Sequence, residues 1–454
     1  MRSDNLNSLG RKTFWNRLCG AEVTSPRPLR ETVSVESEPM RCGDMRILLT
    51  GIACQPNAGS EAGVTWNWAW HLSRRNEVWV IAHVAFRQVV EEFLANRPNP
   101  NLHFEWVGAL GWLPLKPPQD IRFHYVLWLR AALERARRLQ AKHQIDVVHH
   151  VSFNTVSAPP PFWKLGLPFV WGPVGGGQIT PAPLLWCFRR RLLSEVIRTC
   201  RVKLLPLLPS LRRAVAKADA VFAVNHETAR VLTAAGAAAV PLMLDCALPA
   251  TLLDTKFLPR HAEDPFVAVW AGRIEPRKGL ELVLQAARLV QRRKIHIVVA
   301  GDGPGFAEAR GIVSRLDLAD RVNFLGRLPW DRLQALFGRA HVLIFSSVRD
   351  SSGWVGLEAM AQGCPVICLD HQGMGAHLPP EATVKIPVGP ARSVVEAIAA
   401  AVEALADDRR RLSTMSQAAI TFARTQGWEN HASTMEACYR SLIAARGMRS
   451  RSTG

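Results

Sequence analysis

One rhythm occurs twice along this chain of 454 residues: a wholly apolar run, a glycine-rich turn and a helical pattern. The first set opens with MRILLTGIA (45–53), turns through CQPNAGSEAG (54–63) and enters VTWNWAWHLSRR. EVWVIAH (77–83), IDVVHHV (145–151) and PFVWGPV (168–174) continue it, with a basic helical pattern over 121–143. The second set opens with PFVAVWAGRI (265–274) and a helix from Gly279 to Arg293. IHIVVAGDG (295–303), RVNFLG (321–326), HVLIFSS (341–347) and PVICLD (365–370) follow, with helical stretches between them. Strands that are apolar throughout, rather than alternating, and that helices separate belong to parallel sheets covered on both faces. The expectation is α/β: two doubly wound domains, with ligands at the strands' carboxyl ends and in the cleft between the domains.

A chain of this length exceeds one ordinary core. The expected layout begins with a disordered extension over 1–44, polar and dotted with Ser, Pro and Arg. An N-terminal domain over 45–250 and a C-terminal domain over 262–425 follow, joined by a linker within 245–264. A helix over 426–445 is expected to return to the N-terminal domain, ahead of a disordered tail over 446–454. Met45-Arg46-Ile47-Leu48-Leu49 has the character of a buried first strand, which makes Met45 a candidate start of translation.

The net charge of +18 asks for an anionic partner: nucleic acid, phosphorylated substrate or acidic membrane. Nine cysteines lie scattered without a CxxC pair, which reads as reduced structural thiols with neither zinc nor disulfides. No apolar run approaches the ~18 residues of a spanning helix, and the N-terminus lacks a secretory signal's apolar core. A cytoplasmic protein is expected.

RDSSGWVGLEAMAQGCPVI (349–367) sets two carboxylates eight positions apart across a helix start. HVLIFSS is a buried strand, so the loop 348–352 emerges at the sheet's carboxyl edge. The helix beginning near Gly353 and Trp354 then offers free N–H groups and a positive dipole end to an anion such as a diphosphate. Glu358, a turn and a half along, can accept hydrogen bonds from a vicinal diol, and Asp350 can reach a second set of hydroxyls. The plainer alternative is that Asp350 caps the loop and Glu358 sits on a solvated face. VAVWAG (267–272) is followed at once by Arg273 and then by Glu275-Pro276-Arg277-Lys278-Gly279. Cations there suit an anion that gains charge during reaction, a guanidinium through paired hydrogen bonds and an ammonium as a point charge. The alternative, a solvated loop cation, is the expectation for Arg277 and fits Arg273 and Lys278 less well. GDGPG (301–305) and GRL (326–328), with Gly303 and Arg327, supply tight turns open to a nucleobase edge.

RDSSGWVGLEAMAQGCPVI resembles the E-x7-E motif of the retaining glycosyltransferases of family 4, the glycosyl transferases group 1. AGRIEPRKGL resembles that family's GR…KG pair, and FLGRLPWDRLQALFGRAHVLIFSS its intervening region. The resemblance covers nearly all of residues 45–440. It implies two Rossmann-like domains facing a central cleft (the GT-B type), a nucleotide-diphosphate sugar as co-substrate and no metal or other cofactor; no DxD motif is present. By that resemblance Glu358 holds the donor ribose, Asp350 the transferred sugar's hydroxyls, and Arg273 and Lys278 the leaving diphosphate. Asp350 stands where the family usually has Glu, a shorter reach.

The N-terminal half is expected to hold the acceptor and part of the donor. In NAGSEAG (57–63), Gly59 permits close approach to donor phosphate, and Ser60 and Glu61 can hydrogen-bond acceptor hydroxyls; a structural turn with a helix cap is the alternative. Gly175 and Gly176 in WGPVGGGQ (171–178) offer backbone access to an acceptor. The family often has an active-site His after its DVVH-like strand, which points to His150, next to His149; a satisfied core histidine is the alternative for either. Between Trp186 and Lys217 nine cations stand against one acid, Glu195, among apolar residues. This pattern reads either as a surface for anionic lipid or as an apolar stripe with a solvated basic face. No nucleic-acid module accompanies the charge. The expected function is a retaining, metal-independent transfer of a sugar to a glycan or lipid-linked acceptor, at or near the inner face of the cytoplasmic membrane. A nucleotide-sugar 2-epimerase and a non-catalytic membrane-associated scaffold are the alternatives.

Overall fold

A computed structural model describes residues 45–108, 121–153, 155–254, 265–291 and 294–452. The expected extension over 1–44 lies outside the described residues. The first sheet contains β1 (Arg46–Gly51), β2 (Glu77–His83), β3 (Leu102–Val107), β4 (Val147–Ser152), β5 (Phe169–Val174) and β6 (Ala220–Ala223). Its strands are all parallel, in the order β3-β2-β1-β4-β5-β6. The second contains β7 (Phe266–Ala271), β8 (Ile295–Ala300), β9 (Val322–Gly326), β10 (Val342–Phe345), β11 (Val366–Leu369) and β12 (Thr383–Ile386). Its order, β12-β11-β10-β7-β8-β9, is the same topology with the same reversal after the first strand.

The central strands β4, β5, β7 and β10 are buried at every residue. Helices cover both faces, so no side of these strands meets water, and each fully buried Val, Leu or Ile contributes about 1.5–3 kcal/mol. The order reversals fall between β1 and β4 and between β7 and β10. The loops leaving those four strands therefore open the crevices in which doubly wound sheets take ligands.

The last helix, Trp428–Ser452, packs on the helix Ser60–Leu72 of the first unit. Trp428 meets Trp68 edge to face with ring centroids 5.6 Å apart, and the Tyr439 hydroxyl lies 2.5 Å from His149 Nδ1. Buried Glu436 accepts a hydrogen bond from Asn76 at 2.7 Å and pairs with Arg75 at 3.2 Å. The helix runs through Ser452, so residues 446–452 of the expected disordered tail are helical. No proline interrupts them, and the docked turns upstream supply the nucleus from which a helix extends at little cost.

Candidate active site

The loops after β7, β8 and β9 are laced together by their backbones. Gly301 N–H donates to Gly326 O at 2.7 Å, Ile274 N–H to Asp302 O at 2.9 Å, and Gly305 N–H to Ile274 O at 2.9 Å. A Cβ on Gly303, at φ +156°, would sit 2.6 Å from Ile274 O, so only glycine allows this packing. Arg273 and Arg327 stand exposed at the rims of two of these loops.

On the facing side of the β7/β10 crevice, Ser346 at the end of β10 fixes the cation loop. Trp270 Nε1–H donates to its hydroxyl at 3.1 Å, and that hydroxyl meets the carbonyls of Lys278 and Gly279 at 3.1 and 3.0 Å. Lys278, so placed, donates to Asp350 Oδ2, while Arg277 lies 3.5 Å from Oδ1 and Ser347 Oγ 3.3 Å from Oδ2. Burial alone pushes the Asp350 carboxyl up. The Lys278 and Arg277 charges, with hydrogen bonds from Lys278 and Ser351 N–H, outweigh it and hold Asp350 below the usual aspartate value.

Gly353 starts the eight-residue helix Trp354–Ala361 at φ +80°, where a Cβ would strike Phe345 at 2.7 Å. Glu358 in that helix accepts from Trp330 Nε1–H at 2.8 Å. Burial raises its pKa and the indole bond only partly offsets this, so the two carboxyls of the motif are shifted in opposite directions. Trp354 is half-buried and packs against the cores of both units.

The first unit meets the carboxylate loop directly. Gln178 Nε2–H donates to Ser351 Oγ at 2.7 Å and accepts from Gly176 N–H at 2.9 Å, while Asn225 Nδ2–H donates to Ser351 O at 3.1 Å. Gly175 O accepts from Val156 N–H at 3.0 Å. Gln372, at φ +58°, accepts from Asp350 N–H and donates across the cleft to Ile179 O at 3.1 Å. Arg349 pairs at 2.9 Å with Glu195, which is 3% exposed and also accepts from Thr180 Oγ1–H at 2.7 Å. Gly59 and Glu61 lie at the start of the helix after β1, at the β1/β4 crevice; nothing stands within 4 Å of a Cβ built on Gly59. Ser60 opens that helix, and its side chain lies outside the described residues.

Residues 254–422 match the family of glycosyl transferases group 1. This part of the chain is a glycosyl transferases group 1 domain. Over 189 residues the chain is 32% identical to the D-inositol 3-phosphate glycosyltransferase of Kribbella flavida, covering 39% of this chain and 44% of that protein. The match thus spans less than half the length of the curated relative. Among solved structures, sucrose-phosphate synthase from Thermosynechococcus elongatus superposes with a TM-score of 0.58 at 19% identity, covering 88% of this chain and 100% of the other. Anabaena HepE in complex with UDP gives 0.56 at 16% identity, covering 87% and 100%. The fold is GT-B: two Rossmann-like domains facing a central cleft.

Of the residues singled out in the sequence, Arg273, Lys278, Gly303, Arg327, Asp350, Gly353, Trp354 and Glu358 fall inside the group 1 domain, on loops and helix starts at the carboxyl ends of β7 to β10. Gly175 and Gly176 follow β5, and their backbones bond within the first unit, to Val156 and Gln178. His150 does not reach the cleft. It is 1% exposed, its Nδ1 lies 2.8 Å from Thr50 Oγ1 and its Nε2 2.8 Å from Tyr125 OH, and burial drives its pKa down to about 3. His149 is equally enclosed by Tyr439 and Gly172 O. Both are satisfied core histidines, because β4 is buried on both faces and each ring must find its partners inside. Arg277 is not a solvated loop cation. It pairs with Glu275 at 2.7 Å as well as with Asp350, and its carbonyl accepts Val348 N–H at 2.9 Å. Gln178, Glu195 and Gln372 carried no motif. Gln178 and Gln372 showed only as polar residues a few positions past a strand end, and Glu195 only as the lone acid of a basic stretch.

Proposed function

We propose that the protein transfers a sugar from a nucleoside-diphosphate donor to a hydroxyl of a glycan or lipid-linked acceptor, with retention and without a metal ion. The observation that carries this reading is the Asp350–Lys278 pair at the β7/β10 crevice, flanked by Arg277, exposed Arg273 and the N-terminus of the helix Trp354–Ala361. As the bond to the departing diphosphate breaks, negative charge grows on it. Arg273, Lys278 and the free N–H groups of the helix start stabilise that charge more than they stabilise the bound ground state. The solved HepE complex holds UDP, which supports a nucleoside diphosphate as the ligand class.

Asp350, kept ionised by its cationic neighbours, accepts hydrogen bonds from the transferred sugar's hydroxyls, and Glu358 accepts those of the ribose. Gly303 and Arg327 border the nucleobase. Gly59 leaves room for donor phosphate, while Ser60, Glu61, Gly175 and Gly176 border the acceptor. The departing phosphate oxygen takes the acceptor's proton, since both histidines of β4 are enclosed. The chain needs no resident cofactor, because the nucleotide sugar is itself a substrate. The protein works in the cytoplasm, at the inner face of the membrane.

Thermal unfolding with UDP, ADP and GDP, alone and as their sugar conjugates, tests the reading. A ligand that binds only the folded state at a hundred times its Kd adds about 2.7 kcal/mol of stability. One nucleotide series is expected to raise Tm, and Lys278→Ala is expected to lower turnover about 10²- to 10³-fold, the usual loss for a stabilising donor to a developing anion. A donor isomerised in the absence of acceptor would favour epimerisation. No Tm response to any nucleotide would sink the proposal.

A further inference from the structure

The helix Leu192–Leu204 and the segment that follows it turn an uncovered aliphatic face to solvent. Leu192, Leu193, Val196, Ile197, Leu204, Leu207 and Leu208 are 39–74% exposed. They are seven of the twelve exposed large hydrophobic side chains among the described residues, all within residues 192–208. Such clustering departs from the scattered apolar residues of an ordinary surface. Leu192, Val196 and Leu204 recur at multiples of four, with Leu193 and Ile197 beside them, so they form one broad stripe. Glu195 and Val202 lie on the opposite, buried side of the helix.

The rim of this face is cationic. Arg191, Arg201, Lys203, Arg212, Arg213 and Lys217 are exposed, and the only acid between Trp186 and Lys217 is Glu195, which is turned inward. A second copy of the chain would fit poorly. An isologous contact sets a patch against itself, bringing these cations onto one another with no carboxylate to separate them. No helix among the described residues is long and apolar enough to cross a membrane. We infer that this face lies on an anionic phospholipid surface, its aliphatic side chains within the headgroup boundary and its arginines and lysines among the phosphates. Lipid binding at this face needs neither donor nor acceptor, so it stands or falls apart from the transferase reading.

The test is co-sedimentation of the full chain with vesicles of phosphatidylcholine alone and of an equimolar mixture with phosphatidylglycerol. The wild type is expected to pellet with the mixed vesicles, and to be released from them by high salt. The double variant Leu193→Glu, Ile197→Glu is expected to lose at least tenfold in binding while keeping the wild-type Tm. Arg212→Glu with Arg213→Glu is expected to weaken binding and flatten its salt dependence. The inference is overturned if the wild type stays in the supernatant at low salt. It is also overturned if the aliphatic variant pellets like the wild type, or if light scattering shows a dimer that this variant converts to a monomer.

Discussion

Two carboxyls of one motif respond to pH in opposite ways, and this follows from their neighbours rather than from their spacing. Asp350 sits against two cations and stays ionised, whereas Glu358 has only an indole N–H to offset its burial. Because the folded pKa of Glu358 lies above its unfolded value, the folded state binds the extra proton, and stability falls as pH rises from the unfolded pKa through the raised one. Glu358→Gln keeps an oxygen for Trp330 without the charge. It is expected to raise Tm at neutral pH, to match the wild type near pH 4, and to weaken nucleotide binding at both. Equal Tm for the two proteins across that range would count against the carboxylate being the burdened group. Asp350 and Glu358 stand eight positions apart just past β10, and Lys278, 72 positions before Asp350, stands just past β7, so each was legible from its own local sign beside a strand end. Gln178 and Ser351 are 173 residues apart, and Glu195 and Arg349 also belong to different units, so only the closed fold brings such partners together. His150 was misread because a histidine in an apolar strand reads alike whether its ring faces a cleft or a core.

Among the elements, the strands missing from the sequence reading are β3, β6 and β12, and each is a sheet edge. β3 is buried only at its ends, and β6 and β12 have four residues each, two of them half-buried. An edge strand has one neighbour and partial cover, so it needs no continuous apolar run. The interior strands do, and those were read correctly. The closing helix was placed for its return to the first unit, but nothing in its sequence marked which residues would anchor it. Trp428 is 2% exposed between Trp68, His71 and His431. Trp428→Ala is expected to cost about 3–5 kcal/mol, the range for removing a buried aromatic, read as a lower urea midpoint with little change in slope.

Across the whole molecule, burial keeps a set of histidines neutral. His83, His149 and His431 are depressed to about 4 and His150 to about 3, in each case chiefly by burial. Their unfolded forms take up protons below about pH 6.5 while the folded forms refuse them. Stability from this source is therefore complete above pH 6.5 and lost progressively as pH falls toward 4 and 3. Chemical denaturation at pH 7.5, 6 and 5 is expected to give steadily lower unfolding free energies; a flat profile would contradict the burial of these rings. The contact between Tyr439 and His149 joins positions 290 apart. A ribosome adding about 5–20 residues per second takes roughly 15–60 s to travel that distance. The half of the protein made first is thus the half finished last: through that interval Trp68 and its neighbours have no lid, and a nascent-chain chaperone has its opportunity there.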